Sequence, residues 1–424
     1  MKTTFHLKHL FIITFLLILN GCKNSQDESQ IQQDSNLQSN YVSLEQALKI
    51  ASIQAPLNNQ SGNKNGKINK REVQSSFKVN PDGNNPSMYI INYEGGGFTI
   101  ISADKRAIPV LAYSDDNRFD TETKTLPGGL LGWLAEADGL IQEIRKENKE
   151  QSPEFRTLWD KFNQKEMMGL RTSALRTSGY AYADGDCNTS SNYTIFTGAN
   201  QILSSTWSQG TGWNDACDYA GCSQTYNGRY WTGCVATALG QIMRYHQYPT
   251  TFNWSSMPLG YSTSTTASFL KELGNSNKLN MSYGCDGSSS NTGNIPAVLT
   301  SYGYASGGSY QDFNRSTVES ELYAGYPVIL AGGRNAGWWI FGNYADGHAW
   351  VGDGYSNSLY YWCQPDPNTP GEQIDVFSGI ATNAIHMNWG GGGNNDGWYA
   401  ENNWKPGSSD YTYKRKMVTG IRRP

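Results

Sequence analysis

Trp231-Thr-Gly-Cys234-Val-Ala-Thr-Ala-Leu-Gly-Gln241-Ile-Met-Arg-Tyr-His246-Gln-Tyr-Pro249 is the stretch on which the reading of this chain turns. Val235, Leu239, Ile242 and Met243 recur at helical spacing, and Pro249 lies beyond the stop, so the spacing predicts a buried apolar helix. Thr232 is placed to cap it, which puts Cys234 in the first turn. A thiol there meets unpaired N–H groups and the positive end of the helix dipole, about half an elementary charge. A neighbouring imidazolium adds to this, and together they lower a cysteine pKa from about 8.5 into the range of roughly 3.5–7.5. A buried structural cysteine or a disulfide partner satisfies the same spacing.

Beyond the N-terminal apolar run only three histidines exist to serve such a thiolate: His246, His348 and His386. His246 lies twelve residues along the same helix, roughly 18 Å away at 1.5 Å per residue, and is read as a surface or last-turn histidine on the helix dipole. His348 stands in Asp346-Gly-His-Ala-Trp-Val-Gly-Asp353-Gly354, an alternating strand in which Gly347 leaves the backbone open to a substrate chain. His386 stands in Ala384-Ile-His-Met-Asn388-Trp389-Gly390, where period-two alternation sets His386 and Asn388 on one face. Periodicity leaves both histidines open. An amide beside an imidazole can fix its tautomer, as in Cys-His-Asn peptidases.

Upstream, Ser43 and Gln46 fit a capping box ahead of Leu44, Ala47, Leu48 and Ala51. Strand patterns come next over 88–93, 98–102 and 110–114, then an amphipathic helix over about 130–146. Helix, small sheet, helix makes a self-contained α+β domain, expected over 43–165. The basic, Ser/Thr-rich stretch around Arg171 and Arg176 is an exposed linker, expected over 166–186 and open to nicking. Composition then changes. From residue 181 onward the chain holds 11 of its 13 Trp but only 12 of its 33 Lys and Arg, marking a Gly- and aromatic-rich second domain over 187–424.

Length and composition narrow the classes further. At 424 residues two folded units are expected, and 38 % hydrophobic against 17 % charged residues excludes a charge-dominated disordered chain. A net charge of −4 argues against nucleic acid as a partner. The apolar run at 10–19, LFIITFLLIL, is too short to span a bilayer and ends at Leu19-Asn-Gly-Cys22. That pattern resembles a bacterial lipobox, with a signal peptide over 1–21, lipid on Cys22 and a polar tether over 22–42. Export permits disulfides, and Cys187, Cys217, Cys222, Cys285 and Cys363 are left with an open pairing.

At this point the motifs become recognisable together. Thr232-Gly-Cys-Val-Ala-Thr-Ala with Gln241-Ile-Met-Arg-Tyr-His246 closely resembles the catalytic helix of the streptopain family of secreted bacterial cysteine peptidases. Gly347-His-Ala-Trp-Val is similar to its histidine strand, and His386-Met-Asn-Trp-Gly to its Asn-Trp-Gly segment. Met281-Ser-Tyr-Gly284 resembles a loop bordering its cleft, and Gly96-Gly-Phe-Thr-Ile-Ile-Ser-Ala-Asp-Lys-Arg106 resembles part of its inhibitory propeptide. The resemblance implies a papain-like catalytic domain of two parts behind a propeptide that acts as an intramolecular inhibitor. It implies Cys234 as nucleophile, His348 as base, Asn388 orienting His348, Trp389 shielding that bond, and Gln209 as oxyanion donor. His386 becomes a structural neighbour. The family has Pro-Tyr-Asn where this chain has Gly212-Trp-Asn214, and Gly391 replaces a second family Trp.

The resemblance thus implies an exported zymogen of a cysteine endopeptidase acting on proteins or peptides, lipid-anchored before processing, with no cofactor or metal expected. Two other readings are a glycan- or protein-binding surface lipoprotein and an inactive peptidase-like inhibitor. The first predicts no thiol reactivity at Cys234; the intact Gln-Cys-His-Asn set argues against the second.

Overall fold

Ser43 caps the first helix as its capping box predicts. Its Oγ accepts from the Gln46 N–H at 3.2 Å, and Gln46 Oε1 accepts from the Ser43 N–H at 3.0 Å. Helix α1 (Leu44–Gln54) buries Ala47, Ile50 and Ala51. Strands β1 (Val73–Val79), β2 (Met88–Tyr93), β3 (Phe98–Ser102) and β4 (Val110–Ser114) then form an antiparallel meander. Three of these strands have the expected bounds. β1 is additional, because a sheet-edge strand with alternate residues in solvent carries little apolar signal. Helix α2 (Gly128–Lys146) starts two residues ahead of its pattern, and α3 (Pro153–Asn163) opens on a proline, where no N–H is missed.

The computed structural model describes residues 39–55, 70–80, 83, 85–122, 126–163, 180–183, 186–187, 192–332, 348–401 and 415–424. The expected signal segment with Cys22, most of the expected linker with Arg171 and Arg176, and Gly347 lie outside these residues. Among the described residues no helix is long and apolar enough to cross a membrane.

Further along come β5 (Tyr180–Ala183), β6 (Asn192–Ala199), β7 (Tyr219–Cys222), β8 (Gly228–Arg229), α4 (Cys234–His246), α5 (Ser264–Leu273) and α6 (Ile295–Ser301). Next are β9 (Ser306–Asp312), α7 (Arg315–Tyr323), β10 (Val328–Gly332), β11 (His348–Pro365), β12 (Gln373–Asn388), β13 (Gly397–Ala400) and β14 (Lys416–Arg422). The main sheet runs β1-β2-β3-β4-β13-β12-β11-β10-β14-β9, with β6 on β11 and β5 on β6. Strand β11 is long enough to have two neighbours on one side. It pairs with β10 over His348–Gly352 and with β6 over Tyr355–Trp362.

Two cores hold this arrangement. One joins the N-terminal meander and α2 to the middle of the sheet, from Ile90, Ile100, Leu134 and Ile141 through to Trp350, Trp389 and Tyr399. The other packs Leu239, Ile242 and Met243 of α4 and Phe269 and Leu270 of α5 against Ile329, Val351 and Val418. The first core and the β4–β13 seam, Trp398 opposite Tyr113 and Tyr399 opposite Ala112, make the N-terminal part continuous with the sheet. Asn40–Pro424 packs as one compact unit. Among the described residues two disulfides, Cys187–Cys363 and Cys222–Cys285, leave Cys217 and Cys234 as buried free thiols.

Candidate active site

Helix α4 begins one residue later than its sequence signal. Gly233 is the N-cap, at φ 89°, and no side chain caps the helix. Thr232 instead donates from Oγ1 to the Gln209 carbonyl at 3.3 Å. Glycine is required at 233 on two grounds: a φ that L side chains rarely adopt, and a Cβ there would strike Met281 and the Ser288 carbonyl. Cys234 is therefore the first helical residue, with its thiol where the free N–H groups converge.

His348 opens β11 and is 3 % exposed; Cys234 is 4 % exposed. Burial opposes ionisation of Cys234. The positive His348, its hydrogen bond and the N–H groups of Ala349 and Val235 outweigh burial and hold the thiol below its ordinary pKa. Burial likewise tends to discharge His348, but the Cys234 thiolate and the Trp389 carbonyl hold its pKa above the ordinary imidazole value. The two shifts have opposite sign and one cause: each group stabilises the charge of the other.

Nε2 of His348 lies 3.1 Å from the Trp389 carbonyl oxygen. A carbonyl only accepts, so Nε2 carries the proton and Nδ1 is left for Cys234. Asn388, expected to orient His348, is bonded to other partners. Its Nδ2 donates to the Ser205 carbonyl at 2.7 Å and to Gln241 Oε1 at 3.2 Å, while its Oδ1 accepts from Gln241 Nε2 at 3.0 Å and from the Gly390 N–H at 3.2 Å. Asn388 thus fastens β12 to α4, and the oxygen beside His348 Nε2 is the next residue's backbone carbonyl. Trp389, buried, packs against Trp350 and Tyr399, with ring centroids 5.1 Å apart in each case. It supplies both the wall and the acceptor.

Gln209 is tied at its backbone to the turn before Cys234. Its carbonyl accepts from the Thr232 N–H at 3.1 Å, and the Trp231 ring lies against Gly210. The two remaining histidines are elsewhere. His386 Nδ1 is 2.6 Å from Asp353 Oδ1, both buried, and the carboxylate holds the imidazole above its ordinary pKa against the effect of burial. His246 ends α4 as expected but not at the surface. It is buried beside Tyr304, and burial pushes its pKa down to about 4, so it does not act as a cation on the helix dipole.

Gln241 and Asp396 join the site without having been singled out by sequence pattern. Gln241 Oε1 also accepts from the Ser205 hydroxyl and the Trp207 N–H, making it the joint between the two halves. A signal existed: it is seven residues, two turns, from Cys234 on a helix whose buried residues are mostly apolar. Asp396 accepts the Trp389 N–H at 2.8 Å from the end of a glycine-rich loop, which periodicity does not register.

Residues 39–141 match the family model of the Spi protease inhibitor, and residues 207–277 and 250–399 match that of the peptidase C10 family. The chain is 23 % identical to streptopain of Streptococcus pyogenes over 401 residues, covering 81 % of this chain and 83 % of that protein. It is 24 % identical to the thiol protease/hemagglutinin PrtT of Porphyromonas gingivalis over 375 residues, 77 % of this chain and 36 % of that one. In fold it is similar to a prointerpain A fragment of Prevotella intermedia, with a TM-score of 0.51, 21 % identity, and coverage of 84 % of this chain and 99 % of that one. The shared fold is the papain-like one, a helical half against a sheet half, with a propeptide in place. The chain belongs to the peptidase C10 family: it is the zymogen of a cysteine endopeptidase behind a Spi-type inhibitory propeptide.

Proposed function

We propose that Cys234 is the nucleophile and His348 the general acid–base of this peptidase, with Gln209 as oxyanion donor. The observation that carries this is the buried Cys234–His348 pair, in which the thiol pKa is lowered and the imidazole pKa raised. The Cys234 thiolate attacks a peptide carbonyl, and the tetrahedral oxyanion is met by the Cys234 N–H and the Gln209 amide. His348 gives its proton to the leaving amine as the C–N bond breaks and a thioester remains. Water then attacks the thioester, His348 takes its proton, and Cys234 leaves as thiolate. The Trp389 carbonyl keeps Nε2–H engaged throughout, so the proton shuttles at Nδ1.

Substrates on this reading are proteins or peptides. The apolar run at 10–19 and Cys22 support export and lipid anchoring, with residues 166–186 as the activation linker between a propeptide domain over 43–165 and the catalytic domain over 187–424. Latency is supported by where the N-terminal part makes contact. A Cβ on Gly129 of α2 would lie 2.6 Å from Trp350 and 2.8 Å from Trp389, and Trp133 Nε1 donates to the Ala400 carbonyl at 3.0 Å. These contacts bear on the wall behind His348. The deciding experiment treats processed enzyme with a thiol-directed peptidase inhibitor and maps the label. Label on Cys234 with loss of peptide hydrolysis is expected. Hydrolysis that survives complete labelling of Cys234, or label confined to Cys217, defeats the assignment.

A further inference from the structure

The loop after Trp389 is built largely of glycine and is held by its backbone, with the Asp396 N–H donating to the Gly393 carbonyl and the Gly392 N–H to that of Trp207. Gly390, Gly392 and Gly393 all have positive φ, between 70° and 88°, and carry no side chains to pack. Yet this loop begins at the carbonyl that orients His348. Its last residue before β13, Asp396, returns to its first: Oδ1 accepts the Trp389 N–H at 2.8 Å, with the carboxylate 2 % exposed. A buried carboxylate costs several kcal/mol unless it is well partnered. We propose that Asp396 is a positioning residue for the catalytic histidine, acting through Trp389, whose N–H it holds and whose carbonyl holds His348 Nε2. With the N–H pinned on one side and Gly390 tied to Asn388 on the other, the Trp389 carbonyl has one direction in which to point.

The surroundings fit a charged anchor. His386 of β12, Asp353 of β11 and Tyr399 of β13 are ionisable groups that face Asp396 inside the fold. From the N-terminal part, Arg118 and Asp120 reach the same loop through their backbones. The Asn395 N–H donates to the Arg118 carbonyl at 3.0 Å, the Asp120 N–H to Asn395 Oδ1 at 2.7 Å, and Asn117 Nδ2 to the Asp396 carbonyl at 3.1 Å. The inhibitory segment therefore grips the loop through which Asp396 acts. Burial pushes the Asp396 pKa up to about 7, so its carboxylate, the stronger acceptor, is lost as pH falls through neutrality.

The proposal rests on the Cys234–His348 reading, and the test separates the two. Processed wild-type enzyme, Asp396→Asn and Asp396→Ala are compared for kcat and KM on one peptide and for the pH dependence of Cys234 alkylation by iodoacetamide. Asp396→Ala should lower kcat roughly ten- to a hundredfold with KM nearly unchanged, the scale of a misplaced catalytic group. Its alkylation profile should move toward that of a free thiol, about 8.5. Asp396→Asn, which keeps size and an accepting oxygen, should fall between and lose any acid-side inflection near neutrality; it remains informative if the alanine variant does not fold. Wild-type kcat and alkylation profile in the asparagine variant, or reduced kcat with an unshifted profile, overturns the positioning role. If wild-type Cys234 already alkylates like a free thiol, the catalytic pair itself is wrong and this proposal falls with it.

Discussion

The two halves of the site are held in different ways. Cys234 is placed by its own neighbourhood: a glycine N-cap, the first turn of one helix, and the core of α4 and α5. Close by, the Trp231 Nε1 donates to the carbonyl of Cys285, itself bridged to Cys222. His348 is placed at a distance. Its acceptor is 41 residues away in sequence, on a loop closed by Asp396 and gripped by residues 117–120 of the inhibitory part, and α2 leans on the tryptophans behind it. The contacts named for Cys234 all come from the peptidase part, whereas those around His348 include residues 117–120 and α2 of the inhibitory part and can be altered by removing it. The Cys234 half is thus reached by none of these propeptide contacts, and the His348 half is where the inhibitory part touches the site.

The largest effects should come from the pair itself. Cys234→Ala should abolish peptide hydrolysis with an unchanged fold, and His348→Ala should cost at least roughly 10⁴-fold in kcat and slow Cys234 alkylation at neutral pH. Turnover surviving in either variant, measured on purified processed enzyme, would remove that residue from the mechanism. In wild type, activity should rise on the acid side as Cys234 ionises and fall on the alkaline side as His348 loses its proton. The lowered and raised pKa values set those two limits.

Gln209→Ala comes next, with kcat lower by roughly 10²–10³, the usual scale for one oxyanion donor. KM should change little, and an unchanged kcat would mean that another group meets the oxyanion. His386→Ala tests the histidine half without touching the reacting atoms. Leaving Asp353 buried without its ionic partner, with the Leu203 N–H still donating to Oδ2, should cost roughly 3 kcal/mol of stability, read by denaturant unfolding. If stability is unchanged, the buried pair has been misjudged.

Gly129→Ala sharpens the comparison most directly. The added methyl would overlap Trp350 and Trp389, so the inhibitory part should be held less firmly by about 1–3 kcal/mol. Full-length protein should then show a shorter lag before activity appears, while the processed enzyme keeps its kcat. An unaltered lag would mean that latency does not depend on this contact. The smallest effect is expected at Ser43→Ala, which removes the α1 cap far from the cleft and should cost about 1 kcal/mol of stability in the full chain, with no change in processed activity.

Much of this was legible in the residues. Capping boxes, strand alternation and the apolar stripe of α4 are local patterns, and each depends on side chains a few positions apart. So the meander, α2 and the helix behind Cys234 lie close to where those patterns end. Cys234 itself was legible because a cysteine in a first helical turn is a local fact. The choice of His348 over His386 was not: both stand on alternating strands, and only the resemblance to known peptidases separated them. The structure separates them by partner, His386 closing on Asp353 and His348 on Cys234.

Tertiary structure alone decided which oxygen meets Nε2 of His348. Periodicity places Asn388 on a face, but whether an amide or the next carbonyl meets His348 depends on the turn at Trp389-Gly390 and on Gln241 claiming the amide first. It also decided that Cys217 stays free while Cys222 takes Cys285, and that the inhibitory meander extends the peptidase sheet through β13. None of these has a sequence period. Each is a contact between segments far apart in the chain, and such contacts exist only once packing has fixed where those segments meet.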